Sequence, residues 1–219
     1  MTCRLDHLLI GARSLASCTR WASHALEVTP TPGGYHPGRG TENALLGLGD
    51  TRYLEFIAES AAAGGRSRAS ELLSSIDSPA FCWWAVASQD LERARSGLAS
   101  LGIPCGEIVA GERETPDGER LRWRLCYPQC EDLGALLPFV IEWQQADAHP
   151  GLALTATLQL ERLELSTAKP NKLVAALEAL ELREPALTVS EAPEQTMSVI
   201  LRAGQRRTTL ASPALPPVA

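Results

Sequence analysis

Apolar positions fall in short runs divided by Gly- and Pro-bearing turns, and their period alternates between about 2 and about 3.6 in a repeating order. Leu5 to Ile10 is an apolar run that surrounds Asp6 and His7 and closes at Gly11, which predicts a buried strand ending in a turn. Ser14 then stands as an N-cap, and Leu15, Cys18, Trp21, Ala22, Ala25 and Leu26 recur on one helical face until Glu27. A Pro/Gly-rich loop from Pro30 to Gly40 leads to an extended stretch from Asn43 to Leu48, a Gly49-Asp50 turn and a strand from Tyr53 to Ala58. The predicted order is βαβββ.

The pattern then restarts. A Gly/Ser/Arg-rich stretch, 61–70, precedes a short helix over 71–76; Phe81 to Ala87 reads as a strand, and Leu91, Ala94, Leu98 and Leu101 mark a helix closed by Gly102. Cys105 to Ala110 is extended, Asp117-Gly118 predicts a hairpin turn before Leu121 to Cys126, and Leu136 to Trp143 is the last apolar strand of the unit. With Leu15 set on Leu91 and Ile10 on Val86, the halves are an internal duplication in which Trp83 stands where His7 does; matching Tyr-Leu-Glu-Phe to Val-Ile-Glu-Trp sets Glu142 against Glu55. After a His149-Pro150-Gly151 break, a strand over 158–165, a helix through Leu173, Ala176, Leu177 and Leu180, and two strands around Ala203-Gly204 predict a third, shorter module. Pro213 to Ala219 reads as a loose tail. The expected fold is therefore α+β, with tandem βαβββ modules at 1–60 and 79–150, a linker at 61–78 and a C-terminal half-module with tail at 151–219.

Composition narrows the functional classes. The 219 residues suffice for a self-supporting core, and a net charge of -6 with only Lys169 and Lys172 beside the arginines points away from nucleic acid and from anionic membrane surfaces. No apolar run approaches a bilayer span, and no basic region with an apolar core opens the chain, so the expected compartment is the cytoplasm. Cys3, Cys18, Cys82, Cys105, Cys126 and Cys130 are scattered through core-like elements and read as buried thiols; Cys126 and Cys130 lack the second ligand pair of a zinc knuckle.

The loop Tyr35 to Asn43 is the first candidate for chemistry, because a long Gly/Pro-rich connection with polar tips commonly lines a ligand site. Tyr35, His36, Arg39, Thr41 and Asn43 suit the carboxylate or phosphate of a small ligand; the alternative is that they are solvated turn residues. Trp83, Trp84, Trp123 and Trp143 suit an apolar cavity wall or plain core, and His24 and His149 read as surface residues.

Three segments together carry a resemblance: Leu5-Asp-His-Leu-Leu-Ile10, Gly34-Tyr-His-Pro-Gly-Arg-Gly-Thr-Glu-Asn-Ala-Leu-Leu46 and Gly49-Asp-Thr-Arg-Tyr-Leu-Glu-Phe-Ile57. In order and spacing they resemble the glyoxalase-like branch of the vicinal oxygen chelate superfamily, which includes glyoxalase I, extradiol dioxygenases and bleomycin-resistance proteins. The resemblance implies paired modules curled around an open, barrel-like cavity, with a divalent metal held by residues from the first and last strand of each module. Carried onto this chain, His7 and Glu55 are the implied ligands of the first module and Glu142 one of the second, while Trp83 occupies the fourth position and cannot coordinate. One imidazole and two carboxylates suit Fe, Mn, Ni or Zn, and Glu55 or Glu142 would then act as the catalytic base of a metal-dependent lyase, isomerase or dioxygenase acting on vicinal oxygens. The alternative is a metal-free protein that sequesters a small-molecule ligand in the manner of bleomycin-resistance proteins. A homodimer is the expected assembly.

Overall fold

A computed structural model describes residues 3–115 and 118–212, so the Asp117 turn and the Pro213–Ala219 tail lie outside the described residues. The first module runs β1 (Arg4–Ala12), α1 (Leu15–Ala25), β2 (Thr31–His36), β3 (Thr41–Gly49) and β4 (Arg52–Glu59). Helix α2 (Arg68–Ser74) follows, held at its start by a reciprocal pair in which Ser67 and Ser70 side chains bond each other's backbone N–H. The second module repeats the order with β5 (Ala80–Ala87), α3 (Leu91–Ser100), β6 (Val109–Glu114), β7 (Arg120–Cys126) and β8 (Phe139–Trp143). Asp90 caps α3 by accepting from the Arg93 N–H.

One sheet takes both modules, in the order β2-β3-β4-β1-β5-β8-β7-β6. In each half the first and last strands pair in parallel, and β1 meets β5 antiparallel with Leu8 opposite Trp84. That pair lies on the pseudo-twofold axis, so rotation about it carries His7 onto Trp83, as the duplication implies. The sheet curls until its outer strands approach: Arg113 on β6 donates from Nη1 to the Gly33 carbonyl on β2 at 2.7 Å, and Arg39 donates to the Ala110 carbonyl at 3.1 Å. The result is a nearly closed barrel with helices outside. Strands β1, β4 and β5 are buried along almost their whole length, because one face meets the barrel interior and the other the helices.

The stretch read as a loop from Pro30 to Gly40 is largely strand. Thr31–His36 pairs with β3, with a register shift between Pro32 and Gly34, and only residues 37–40 form the turn. An edge strand tolerates the missing proline donor and the glycines that an interior strand would not. Likewise the extended piece foreseen from Cys105 to Ala110 is strand only from Val109 onward, as β6, with Cys105 making an isolated bridge to Pro128.

The C-terminal part forms a separate four-stranded sheet from β9 (Gln159–Thr167), α5 (Pro170–Ala179), β10 (Leu187–Glu191), β11 (Thr196–Ala203) and β12 (Arg206–Ala211), after a short helix α4 (Pro150–Ala153). Its element order is again βαβββ, but the strand order β10-β9-β11-β12 pairs the first strand in parallel with the second rather than with the last. It does not make a third half-barrel. It covers α3, where Gly97 lets the Ala179 carbonyl approach closely.

The segment joining barrel to second sheet is fitted tightly: a methyl group at Gly151 would overlap the carbonyl of Thr51 in the β3–β4 turn. Gly151→Ala is expected to lower stability by about 1–3 kcal/mol through that backbone overlap. Urea unfolding checks this, and an unchanged midpoint would contradict it.

Candidate functional site

The barrel interior narrows to a cavity of about 80 Å³, room for a few waters. Its two halves differ. From the first module come His7 on β1, His36 on β2, Thr41 and Asn43 on β3, and Tyr53 and Glu55 on β4. From the second come Trp83, Trp123, Leu125, Phe139, Ile141 and Trp143, with Tyr127 just after β7 and the single cation Arg113.

The polar half is one continuous chain of buried hydrogen bonds. The β1–β5 ladder shifts register between Leu5 and His7, leaving Asp6 as the extra residue of a bulge and bringing its carboxylate beside the His7 ring. His7 Nδ1–H donates to Asp6 Oδ1 at 2.6 Å, and Nε2–H faces Glu55 Oε2 at 3.3 Å. Asn43 donates from Nδ2 to Glu55 Oε1 at 2.7 Å and turns the same nitrogen toward His36 Nε2 at 3.3 Å, so His36 bonds Thr41 Oγ1 through Nδ1–H at 2.7 Å. At the other end Asp6 Oδ2 accepts from His149 Nε2–H at 2.9 Å and from the Trp143 indole at 3.2 Å. The Gly151 N–H donates to His149 Nδ1 at 3.0 Å, which fixes the neutral tautomer. Tyr53 stacks on His7 with ring centroids 4.8 Å apart.

These contacts set the charges. Burial alone would strip His7 of its proton, but the hydrogen bonds to Asp6 and Glu55 outweigh it and raise its pKa to about 9. Burial opposes the charge on Glu55, yet the His7 bond and the neighbouring imidazoles hold it down to about 2; Asp6 is likewise held below the ordinary range by His149 and His7. His36 goes the other way, to about 4, because burial dominates and Arg113 and Arg39 oppose a further positive charge. At neutral pH the site therefore holds an imidazolium between two carboxylates, next to a neutral imidazole.

Of the residues singled out from sequence, His7, His36, Arg39, Thr41, Asn43, Glu55 and Trp83 line the cavity. Tyr35 does not; it is 51% exposed on the outer edge of β2. Glu142 does not either. Phe139, Ile141 and Trp143 point inward on β8, so Glu142 faces outward, where it pairs with Arg124 at 2.5 Å and accepts from the Leu91 N–H at the start of α3. Strand pairing explains the difference: Leu9 lies beside Glu55 and its counterpart Ala85 beside Phe139, so Phe139 is the positional equivalent of Glu55, and matching the glutamates slips the alignment by an odd step that reverses the face.

His149, read as a surface residue, is buried at 3% exposure in the charge chain. Asp6, Tyr53 and Arg113 were not identified from the sequence. An Asp inside an apolar strand is itself a signal, since a buried carboxylate demands partners; Arg113, between Glu112 and Glu114, carries no such mark.

The implied metal can be tested against these donors. His7 Nε2 and Glu55 converge, but Trp83 commits its indole N–H to the Leu137 carbonyl at 2.8 Å, and Phe139 stands opposite. Among the described residues no group of three or more His, Cys, Asp and Glu side chains is arranged to hold a metal ion. The residues do not fit the chelate that the resemblance implies.

A barrel of two βαβββ modules around a central cavity defines the class of paired-module proteins to which vicinal oxygen chelate proteins belong. The chain belongs to the glyoxalase-like domain family, whose model matches residues 5–181. No curated protein matches it in sequence. Among solved structures it is similar to a hypothetical protein from Staphylococcus aureus, at 17% identity and a TM-score of 0.63, covering 95% of this chain and 85% of that one, which is a likeness of fold. It also matches methylmalonyl-CoA epimerases: from Streptomyces coelicolor, in complex with 2-nitronate-propionyl-CoA, at 13% identity and TM-score 0.48, covering 66% and 100% of the two chains; and from Mycobacterium tuberculosis, at 19% and 0.44, covering 68% and 90%. No helix among the described residues is long and apolar enough to cross a membrane.

The charge chain predicts opposed pH slopes. Folding raises the proton affinity of His7, so its stabilisation is complete below 6.5 and is lost as pH rises through about 9. Folding lowers that of His36 and Glu55, so their contributions are present above 6.5 and 4.5 and are lost as pH falls through about 4 and about 2. Urea unfolding from pH 6.5 to 9.5 should show a loss on the order of 3 kcal/mol that His7→Gln removes. A flat wild-type profile in that window would refute the imidazolium assignment.

Proposed function

We propose that the protein is a small-molecule-binding member of its family whose barrel takes a small, flat, mainly apolar molecule with one polar end, held without a metal. The observation that carries this reading is the unequal division of the cavity, a hydrogen-bonded polar floor from the first module facing an aromatic wall from the second. Apolar walls with a few placed polar groups are what orients a small ligand. In this reading the ligand's polar end lies beside Asn43 and His36, Thr41 holds the His36 tautomer, Arg39 stands at the mouth, and Trp83, Tyr127 and Phe139 cover the apolar body.

The other reading, a metal-dependent lyase, isomerase or dioxygenase using Fe, Mn, Ni or Zn, needs donors from the second module. Trp83 and Phe139 occupy the strands that would supply them, and Glu142 is engaged by Arg124.

Two measurements test the proposal. After incubation with Fe, Mn, Ni and Zn salts and removal of loose ions, elemental analysis should find well under one metal per chain in both wild type and His7→Ala; a near-stoichiometric ion lost in the mutant would revive the enzyme reading. Furan, 2-furamide or 2-furoate should raise the melting temperature by about 3–6 °C when free ligand stands at about ten times its Kd. If no member of this set raises it, the ligand cavity reading fails.

A further inference from the structure

We infer that Arg113 is an anion-binding residue, and that the ligand of this cavity is a small monocarboxylate whose carboxylate sits on the Arg113 guanidinium. The inference rests on the cavity reading above and adds the charge of the ligand to it.

Arg113 is 4% exposed and lines the cavity from β6. A guanidinium stays charged in any protein setting, so its burial requires compensation by a partner of opposite charge. Among the described residues no carboxylate lies within ion-pair distance of it, and its one hydrogen bond goes from Nη1 to the neutral Gly33 carbonyl at 2.7 Å. Its other nitrogens make no hydrogen bond to the described residues, and they are not among the buried side-chain atoms sealed off without a partner. Because Arg113 lines the cavity, they are the donors it has left for a ligand there. The nearest negative group lining that space, Glu55, is already committed to Asn43 at 2.7 Å and to His7 at 3.3 Å.

The surroundings select the anion. The planar fork of a guanidinium matches the two oxygens of a carboxylate, with two parallel N–H donors. Glu55 shares the cavity and repels a second negative charge on the ligand, which favours a monoanion over a dianion such as phosphate. The enclosed space, about 80 Å³, favours a small ligand, part of which can extend through the open side. Trp123, which lies edge-on to His36 at 5.7 Å, and Phe139 then offer flat apolar surface to the rest of the molecule.

The competing role for Arg113 is a latch that ties β6 to β2 through Gly33 and nothing more. Calorimetric titration with 2-furoate and with its neutral isostere 2-furamide separates the two. Wild type should bind 2-furoate about tenfold or more tightly than 2-furamide. In Arg113→Gln the ratio should fall to about one, while Arg113→Lys, which keeps the charge, should retain part of the preference. Equal affinities in wild type, or a preference that survives in Arg113→Gln, would overturn the anion site and leave the cavity reading standing. Absence of binding by either compound would overturn both.

Discussion

The buried chain His149–Asp6–His7–Glu55–Asn43 is the constraint around which the barrel is organised. Carboxylates removed from water are tolerable only when their lone pairs are met by donors of good geometry, and here each donor comes from a different strand or segment. The bulge that places Asp6 beside His7 is thus not a local defect in β1. It sets where β1, β4 and the segment after β8 must sit relative to one another, and it fixes the protonation of an imidazole that would otherwise lose its charge on burial.

The duplication is symmetric in backbone and asymmetric in chemistry. The pair Leu8 and Trp84 marks an axis about which strand order repeats, but the axis exchanges His7 with Trp83 and Glu55 with Phe139. One half has kept polar side chains facing inward, and the other has filled the same positions with rings. A site built this way has a direction, with hydrogen-bonding groups on one side and flat hydrocarbon on the other, which a symmetric four-ligand chelate would lack.

Much of this was readable in the sequence. Alternation and turn residues located both βαβββ repeats, and the Leu8-Trp84 pairing agrees with the register that set His7 against Trp83. Glu142 was misplaced because identity of letters was matched where strand phase decides, and a one-residue phase error inverts a side chain's face. Pro30 to Gly40 read as loop because Pro and Gly carry turn signals that an edge strand can absorb. His149 and Arg113 escaped for a different reason: their roles depend on contacts with residues more than a hundred or about eighty positions away, and nothing in their immediate neighbours records them.

The same long reach makes the two repeats depend on each other. Among the described residues, two of the three side-chain donors to Asp6, Trp143 and His149, belong to the far end of the second module. Without the second module, Asp6 would keep only its bond to His7. Although the architecture is a repeat, the buried acid ties one copy to the other: its bonds are complete only when both are in place.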